Sequence, residues 1–147
     1  MARTVVRNVE CVLWHKYLGR LPKFSCGELE KYILKQKTVK VTSERGYKFF
    51  LEGYIHDLEV YDQEVSKLQW AVRAKCFHSQ KKSELPHTIQ VKFKDTAIIS
   101  TTCSCAAGKG VCHHTIAVLY QLQHYMKLDL KSVPPVCSKT SLPQCSY

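Results

Sequence analysis

The sequence predicts an α+β domain, with N-terminal helices, an antiparallel β-sheet and a C-terminal helix. Residues 69–76 and 89–94 alternate apolar and polar side chains, as half-buried strands do. Residues 112–127 are instead apolar almost all round at helical spacing, which predicts a largely buried helix. A chain of 147 residues with 45% apolar side chains fits one ordinary domain.

Two helices are predicted before the sheet. Apolar residues near one face predict a helix over residues 3–18, with Gly19 as its stop. Ser25 and Glu28 have the spacing of a capping box, and the residues behind them follow helical spacing. We therefore expect a second, short helix over residues 26–36.

The middle of the chain reads as sheet. Residues 47–61 are rich in aromatic and branched side chains, but their alternation changes parity, which predicts a bulge or strand break between Gly53 and Asp57. The strands at 69–76 and 89–94 are expected to pair across a loop at 79–86. A further strand, residues 97–102, runs directly into a group of cysteines, and the chain after Lys131 reads as an irregular tail.

Charge and cysteine content narrow the class of protein. The formal net charge is +10, which favours a polyanionic partner, most often nucleic acid. The N-terminus has no uninterrupted apolar stretch, and no segment approaches the roughly 20 apolar residues of a membrane span. We therefore expect a reducing, intracellular compartment without membrane association, where eight cysteines indicate metal ligands or reactive thiols rather than disulfides.

Four residues have the spacing of a metal site. Cys103 and Cys105 lie two apart at a strand end and so share a face, and Cys112 opens the last helix. Either His113 or His114 can supply the fourth donor. Three thiolates and one imidazole suit a tetrahedral structural zinc ion. The competing interpretation, that these cysteines pack as small hydrophobic residues, is disfavoured by their clustering.

The pattern Cys-Ser-Cys, six residues, then Cys-His-His resembles the SWIM-type zinc finger, C-x-C followed by C-x-H. The resemblance implies one structural Zn²⁺ held by Cys103, Cys105, Cys112 and His114, in a ββα segment over residues 95–126. The patterns along the whole chain predict an N-terminal helical segment (1–40), a sheet with the zinc-binding domain (41–130) and a C-terminal tail (131–147). SWIM modules occur in Mutator-like transposases, chromatin-associated proteins, recombination factors and a kinase–ubiquitin-ligase family, where they bind DNA or protein.

Catalysis is not expected. Four protein ligands leave zinc no open position for water, and the sequence lacks the motifs of zinc deaminases, zinc proteases and P-loop NTPases. A nucleophile pair of Cys76 with His56 or His78 stays open, without a supporting signature. We expect a binding module that takes no small-molecule substrate.

The proposed partner is DNA, which places the chain in the nucleus; RNA and protein partners stay open. Strand alternation puts four cations on one exposed sheet face, and others lie in the connecting loop and the zinc turn. The predicted nucleic-acid contacts are Arg73, Lys75, Lys81, Lys82, Lys92, Lys94, Lys109 and His113. Acidic residues concentrate between 52 and 64, which indicates that charge is segregated or that this strand docks a basic protein.

Overall fold

The computed structural model describes residues 14–36, 40–62, 69–77, 85–105 and 111–134. Within these residues the chain forms three helices and five strands, which confirms the α+β prediction. None of these helices is long and apolar enough to cross a bilayer. The elements are β1 (Trp14–His15), α1 (Cys26–Lys35), α2 (Lys40–Leu51), β2 (Ile55–Tyr61), β3 (Gln69–Cys76), β4 (His87–Lys94), β5 (Ala97–Cys103) and α3 (His113–Lys127).

The five strands form one antiparallel sheet in which neighbours in sequence are neighbours in space. β3 and β4 make the predicted pair, with Trp70 opposite Phe93 and Val72 opposite Val91. The Trp70 and Phe93 rings stack with centroids 3.9 Å apart, and the indole N–H donates to the Asp95 carbonyl at 2.7 Å. β5 forms one edge of the sheet and the short β1 forms the other.

The core lies between the inner face of the sheet and α3. Val91 and Phe93 of β4 and Leu119 and Leu122 of α3 are completely buried. Burial of each such side chain contributes about 1.5–3 kcal/mol to folding. Because α3 contacts the sheet on one side and α2 on the other, the predicted burial of this helix is confirmed.

The prediction of a helix over residues 3–18 is wrong for residues 14–18, the part that the structure describes. Residues 1–13 lie outside the described residues. Trp14 and His15 are strand β1, paired with Tyr61 and Val60. Sequence periodicity missed this pairing because it is set by a residue far along the chain. Asp62 is 3% exposed and accepts a hydrogen bond from His15 Nε2 at 2.9 Å.

The buried Asp62 carboxylate organises this corner of the molecule. The Tyr17 amide donates to His15 Nδ1 at 3.0 Å, so the proton that His15 shares with Asp62 is on Nε2. A guanidinium nitrogen of Arg20 lies 3.1 Å from the second carboxylate oxygen as a charge partner. Nearby, backbone hydrogen bonds join the segment after β1 to the start of the predicted tail: the Leu18 amide donates to the Lys131 carbonyl and the Val133 amide to the Lys16 carbonyl. Residues 135–147 of the tail lie outside the described part.

The strand expected from Tyr47 is wrong for residues 47–51, which are the end of α2. The tertiary contact with α3 outweighs the strand preference of these aromatic residues. Gly53, at φ 75°, ends the helix in a Schellman motif, in which Tyr54 donates to the Phe49 carbonyl and Gly53 to that of Phe50. The predicted parity change is confirmed, because the β2 register shifts around Asp57, whose φ is 53°.

The predicted short helix and its cap are also confirmed. α1 spans Cys26–Lys35, and the Ser25 side chain accepts a hydrogen bond from the Glu28 amide at 3.2 Å. This bond satisfies one of the amides that a helix leaves free at its first turn.

α2 approaches α3 most closely at Gly46. A Cβ atom added there would lie 2.5 Å from Ile116 Cβ and 2.9 Å from the His113 carbonyl oxygen. Both atoms belong to the first turn of α3 and cannot move independently of it. The missing side chain therefore sets the distance between the two helices.

We predict that Gly46→Ala destabilises the protein by about 1–3 kcal/mol, the usual cost of overpacking. We expect this loss of stability even though alanine favours a helix over glycine by about 0.5–1 kcal/mol. Urea unfolding measures the change. Gly27→Ala in α1 is the matched control, because its Cβ would meet nothing closer than Ser25 Oγ at 3.8 Å and its stability should hold or rise. Equal stability of the two variants would contradict the close packing.

Candidate metal centre

Four donors converge where the end of β5 meets the start of α3. The sulfurs of Cys103, Cys105 and Cys112 and a ring nitrogen of His114 all lie within 4.8 Å of one another. They come from the last residue of β5, the bend after it, and the first turn of α3. The fold therefore brings together the four residues that the sequence singled out.

The strand end aims the first two cysteines at α3. Ser104 lies between them and closes the ladder with β4, because its amide donates to the Thr88 carbonyl and its hydroxyl accepts from the Thr88 amide, both at 3.0 Å. With Ser104 held on the sheet, Cys103 and Cys105 project to the other side.

The third cysteine begins α3. Cys112 is the N-cap residue, with extended backbone at φ −109° and ψ 169°, and its carbonyl accepts the first helical hydrogen bond from Ile116. Hydrogen bonding from Cys103, and then from His114 and Thr115, holds the pKa of the Cys112 thiol well below its usual range. The Thr115 hydroxyl lies 3.5 Å from Cys112 Sγ. A thiolate is further favoured by the helix N-terminus.

The fourth donor is His114, which settles the choice between the two histidines. Its Nδ1 atom lies 3.7 Å from the sulfurs of both Cys103 and Cys112. Ligands of a tetrahedral zinc ion, with bonds of about 2.0–2.3 Å, are about 3.5–3.8 Å apart. The donor set and its spacing thus fit zinc, and four protein donors leave the metal no open position for water.

His113 has a different environment. Its ring packs edge-to-face on Phe49 of α2, with centroids 4.8 Å apart. Burial, followed by the neighbouring His114 and Arg45, lowers the pKa of His113 to about 4. The imidazole is therefore neutral at pH 7, and its role as a nucleic-acid contact stays a prediction that does not involve a positive charge.

Cys76 and His87 pair on neighbouring strands beside the site and are not among its four donors. Cys76 is completely buried on β3, and burial, with the nearby Cys112, raises its pKa to about 12. It therefore stays a neutral thiol, unsuited to nucleophilic attack. Its candidate partner His56 stacks on Phe77 at 4.0 Å, and His78 lies outside the described residues. The His87 ring lies 4.3 Å from that of His114, a contact between distant residues that spacing does not predict.

The predicted nucleic-acid contacts divide into two groups in the structure. Arg73, Lys75, Lys92 and Lys94 all lie exposed on the outer face of the sheet, as alternation predicted. Lys81, Lys82 and Lys109 lie outside the described residues.

We predict that the purified chain contains about one zinc ion and that Cys112→Ser loses it. The substitution removes a thiolate and the connection between β5 and α3, so cooperative unfolding should be lost as well. Elemental analysis and thermal unfolding, each with and without a chelator, check both effects. A fully folded metal-free chain would sink the structural role of the metal.

The adjacent histidines provide an internal comparison. His114→Ala should release zinc, because its Nδ1 faces two of the sulfurs. His113→Ala removes a ring of the same size from the next position and should keep the full zinc content while losing the packing on Phe49. Zinc retention in the first variant and release in the second would assign the fourth ligand to His113.

A family comparison agrees with this geometry. Residues 87–123 match the model of the SWIM zinc finger, a range that holds β4, β5, all four donors and most of α3. Searches of the curated proteins and of the solved structures gave no match. The segment from His87 to Gln123 is a SWIM zinc finger that binds one structural zinc ion through three cysteines and one histidine.

Proposed function

We propose that this chain is a nucleic-acid-binding module, not an enzyme, and that its partner is duplex DNA. The observation that carries the proposal is a pair of lysines, Lys92 and Lys94, which lie on the exposed outer face of β4 without a carboxylate partner among the described residues. The net charge of +10 supports the same class of partner. A DNA partner in turn implies a nuclear location.

Lys92 and Lys94 are exposed and lie two residues apart on β4, so both point away from the core. Among the described residues, no carboxylate is within ion-pair distance of either ammonium group. On the adjacent β5, Ser100 lies opposite Lys92 and Thr102 opposite Gln90, both exposed on this face. Ammonium and hydroxyl groups together form a surface that donates hydrogen bonds to phosphate oxygens.

Arg73 and Lys75 contribute less than their exposure suggests. Both guanidinium contacts of Arg73 go to Glu59 of β2, at 2.8 and 2.9 Å, and its Cζ lies 4.3 Å above the Trp14 ring. The Lys75 ammonium group lies 3.7 Å from an Asp57 carboxylate oxygen. The acidic strand thus neutralises the β3 side of the face, whereas the lysines on the β4–β5 side have no carboxylate partner in the part of the chain that the structure describes.

The zinc site would hold this basic surface in place. β5 ends at Cys103, and its hydroxyl-bearing residues precede that ligand directly. A metal that fixes the end of β5 to α3 also fixes the position of Ser100 and Thr102 beside Lys92. This arrangement reduces the entropy that an interface loses on binding.

We predict that a Lys92→Ala, Lys94→Ala double variant binds duplex DNA more weakly and with a shallower salt dependence. Each lost phosphate contact lowers the slope of log affinity against log salt by about 0.9. Fluorescence anisotropy of labelled duplex DNA over a salt series measures both the affinity and this slope. Lys31→Ala, Lys35→Ala on α1 is the matched control, because it removes the same charge from two exposed helix positions.

Two outcomes would contradict the proposal. One is equal loss of affinity in both double variants, which would reflect net charge alone. The other is wild-type affinity that stays weak and nonspecific across varied sequences and base modifications. Parallel titrations with single-stranded DNA and RNA identify the preferred nucleic acid.

A further inference from the structure

We propose a second binding site at the free edge of β5, where an extended acidic peptide adds a sixth strand to the sheet. This site uses the backbone at the edge of the sheet and differs from the proposed nucleic-acid surface, although both would use Lys92 and Lys94 on the outer face. Three observations lead to it: the direction of the β5 backbone groups, the incomplete cover over the edge, and the charge beside it.

The hydrogen-bond pattern fixes which β5 groups face outward. Ser104 donates to Thr88, and antiparallel pairs alternate between bonded and non-bonded positions. Thr102 and Ser100 therefore bond to β4. Thr101 and Cys103 direct their amides and carbonyls away from the sheet, and no backbone hydrogen bond within the described residues occupies these outward groups.

Apart from a register irregularity beside Ile99, the sequence of β5 lacks the usual protections of an edge strand. Natural sheets place charged residues or proline on exposed edges to prevent pairing with another chain. The β5 sequence Ala-Ile-Ile-Ser-Thr-Thr-Cys contains neither. Its seven residues are long enough to pair, and Ile99, at the register shift opposite Lys92 and Phe93, leaves 55% of its surface exposed.

The inner face leaves room for the side chains of an added strand. The inward residues of β4, Ile89 and Val91, are buried, whereas Thr101 and Cys103 on β5 are only half-buried. α1 packs on this side of β5, with Tyr32 beside Thr101. Among the described residues the cover thus ends at β5, and an added strand would place alternate side chains beside α1.

Charge selects the kind of peptide. Lys92 and Lys94 lie on the strand next to β5, and β5 itself is uncharged. An added strand with Asp or Glu at its outward positions would lie near these cations. A second copy of this chain would instead bring two such basic surfaces together, each on a chain of net charge +10. Backbone pairing supplies affinity and the alternating side chains supply selectivity, as in other strand-addition sites.

The test begins with selection from a displayed library of random dodecapeptides against the zinc-loaded chain. We expect enrichment of peptides that alternate β-branched residues with Asp or Glu. Hydrogen exchange of the wild-type complex should show new protection at the Thr101 and Cys103 amides. Failure to enrich such peptides, or protection confined to other segments, would overturn the proposal.

Thr101→Pro removes one outward amide and none of the β4–β5 bonds, so an edge strand tolerates it. Binding of a selected peptide should weaken about tenfold, the loss expected for a backbone hydrogen bond with its altered neighbours. Thr101→Val is the matched control, because it keeps the amide and only replaces the side-chain hydroxyl with a methyl group. Zinc content shows that both variants are folded.

Measurements of duplex-DNA binding distinguish this site from the proposed nucleic-acid surface. Thr101→Pro should leave DNA affinity unchanged, whereas the Lys92→Ala, Lys94→Ala variant should weaken both ligands. Equal peptide binding by Thr101→Pro and wild type would overturn strand addition and leave the DNA proposal standing. Sedimentation of the chain without peptide tests a different occupant. If the wild type dimerises with increasing concentration and Thr101→Pro abolishes the dimer, the edge binds a second copy instead.

Discussion

The interaction on which the rest of the structure depends is the joining of β5 to α3 by one zinc ion. Its ligands come from the edge strand and from the first turn of the most buried helix. Zinc binding in small fingers contributes about 10–16 kcal/mol, comparable with the whole stability of an ordinary domain, about 5–15 kcal/mol. Without a cation, three sulfurs so close together cannot all ionise: the hydrogen bond between Cys103 and Cys112 lowers the pKa of Cys112 and raises that of Cys103. The metal thus makes this junction both possible and stable.

The first turn of α3 is constrained from two sides. His114 and Cys112 hold it to the metal, while Gly46 of α2 allows its backbone and Ile116 to approach closely. His113 faces the second of these neighbours, since its ring packs on Phe49. The two adjacent histidines therefore have different roles: His114 is a metal ligand, and the His113 ring packs on α2. A displacement of α2 would be transmitted to the zinc ligands through this single turn.

Local sequence patterns predicted much of this structure. The predictions that were wrong concern segments whose conformation is determined by contacts with residues far away in the sequence. Cysteine spacing, the alternation around Val72 and Val91 and the cap at Ser25 each depend on neighbours in sequence, and each is confirmed. Residues 47–51 have strand-like composition, yet the contact of Gly46 with α3 makes them helical. The acidic strand was expected to leave the basic face distinct. The register instead places Glu59 against Arg73, a pairing that composition cannot reveal.

The same register gives the sheet an asymmetric surface. On the β1–β3 side, Arg73 lies between Glu59 and Trp14, so its charge is balanced by a carboxylate. On the β4–β5 side, lysines and hydroxyls have no acidic partner among the described residues, and the strand edge is open. An edge strand ordinarily frays, which would weaken any surface built on it. Because Cys103 ends β5 at the metal, this edge is anchored where a free strand would be most mobile. The zinc ion would therefore support the proposed binding indirectly, because it makes rigid a strand whose neighbouring cations face solvent.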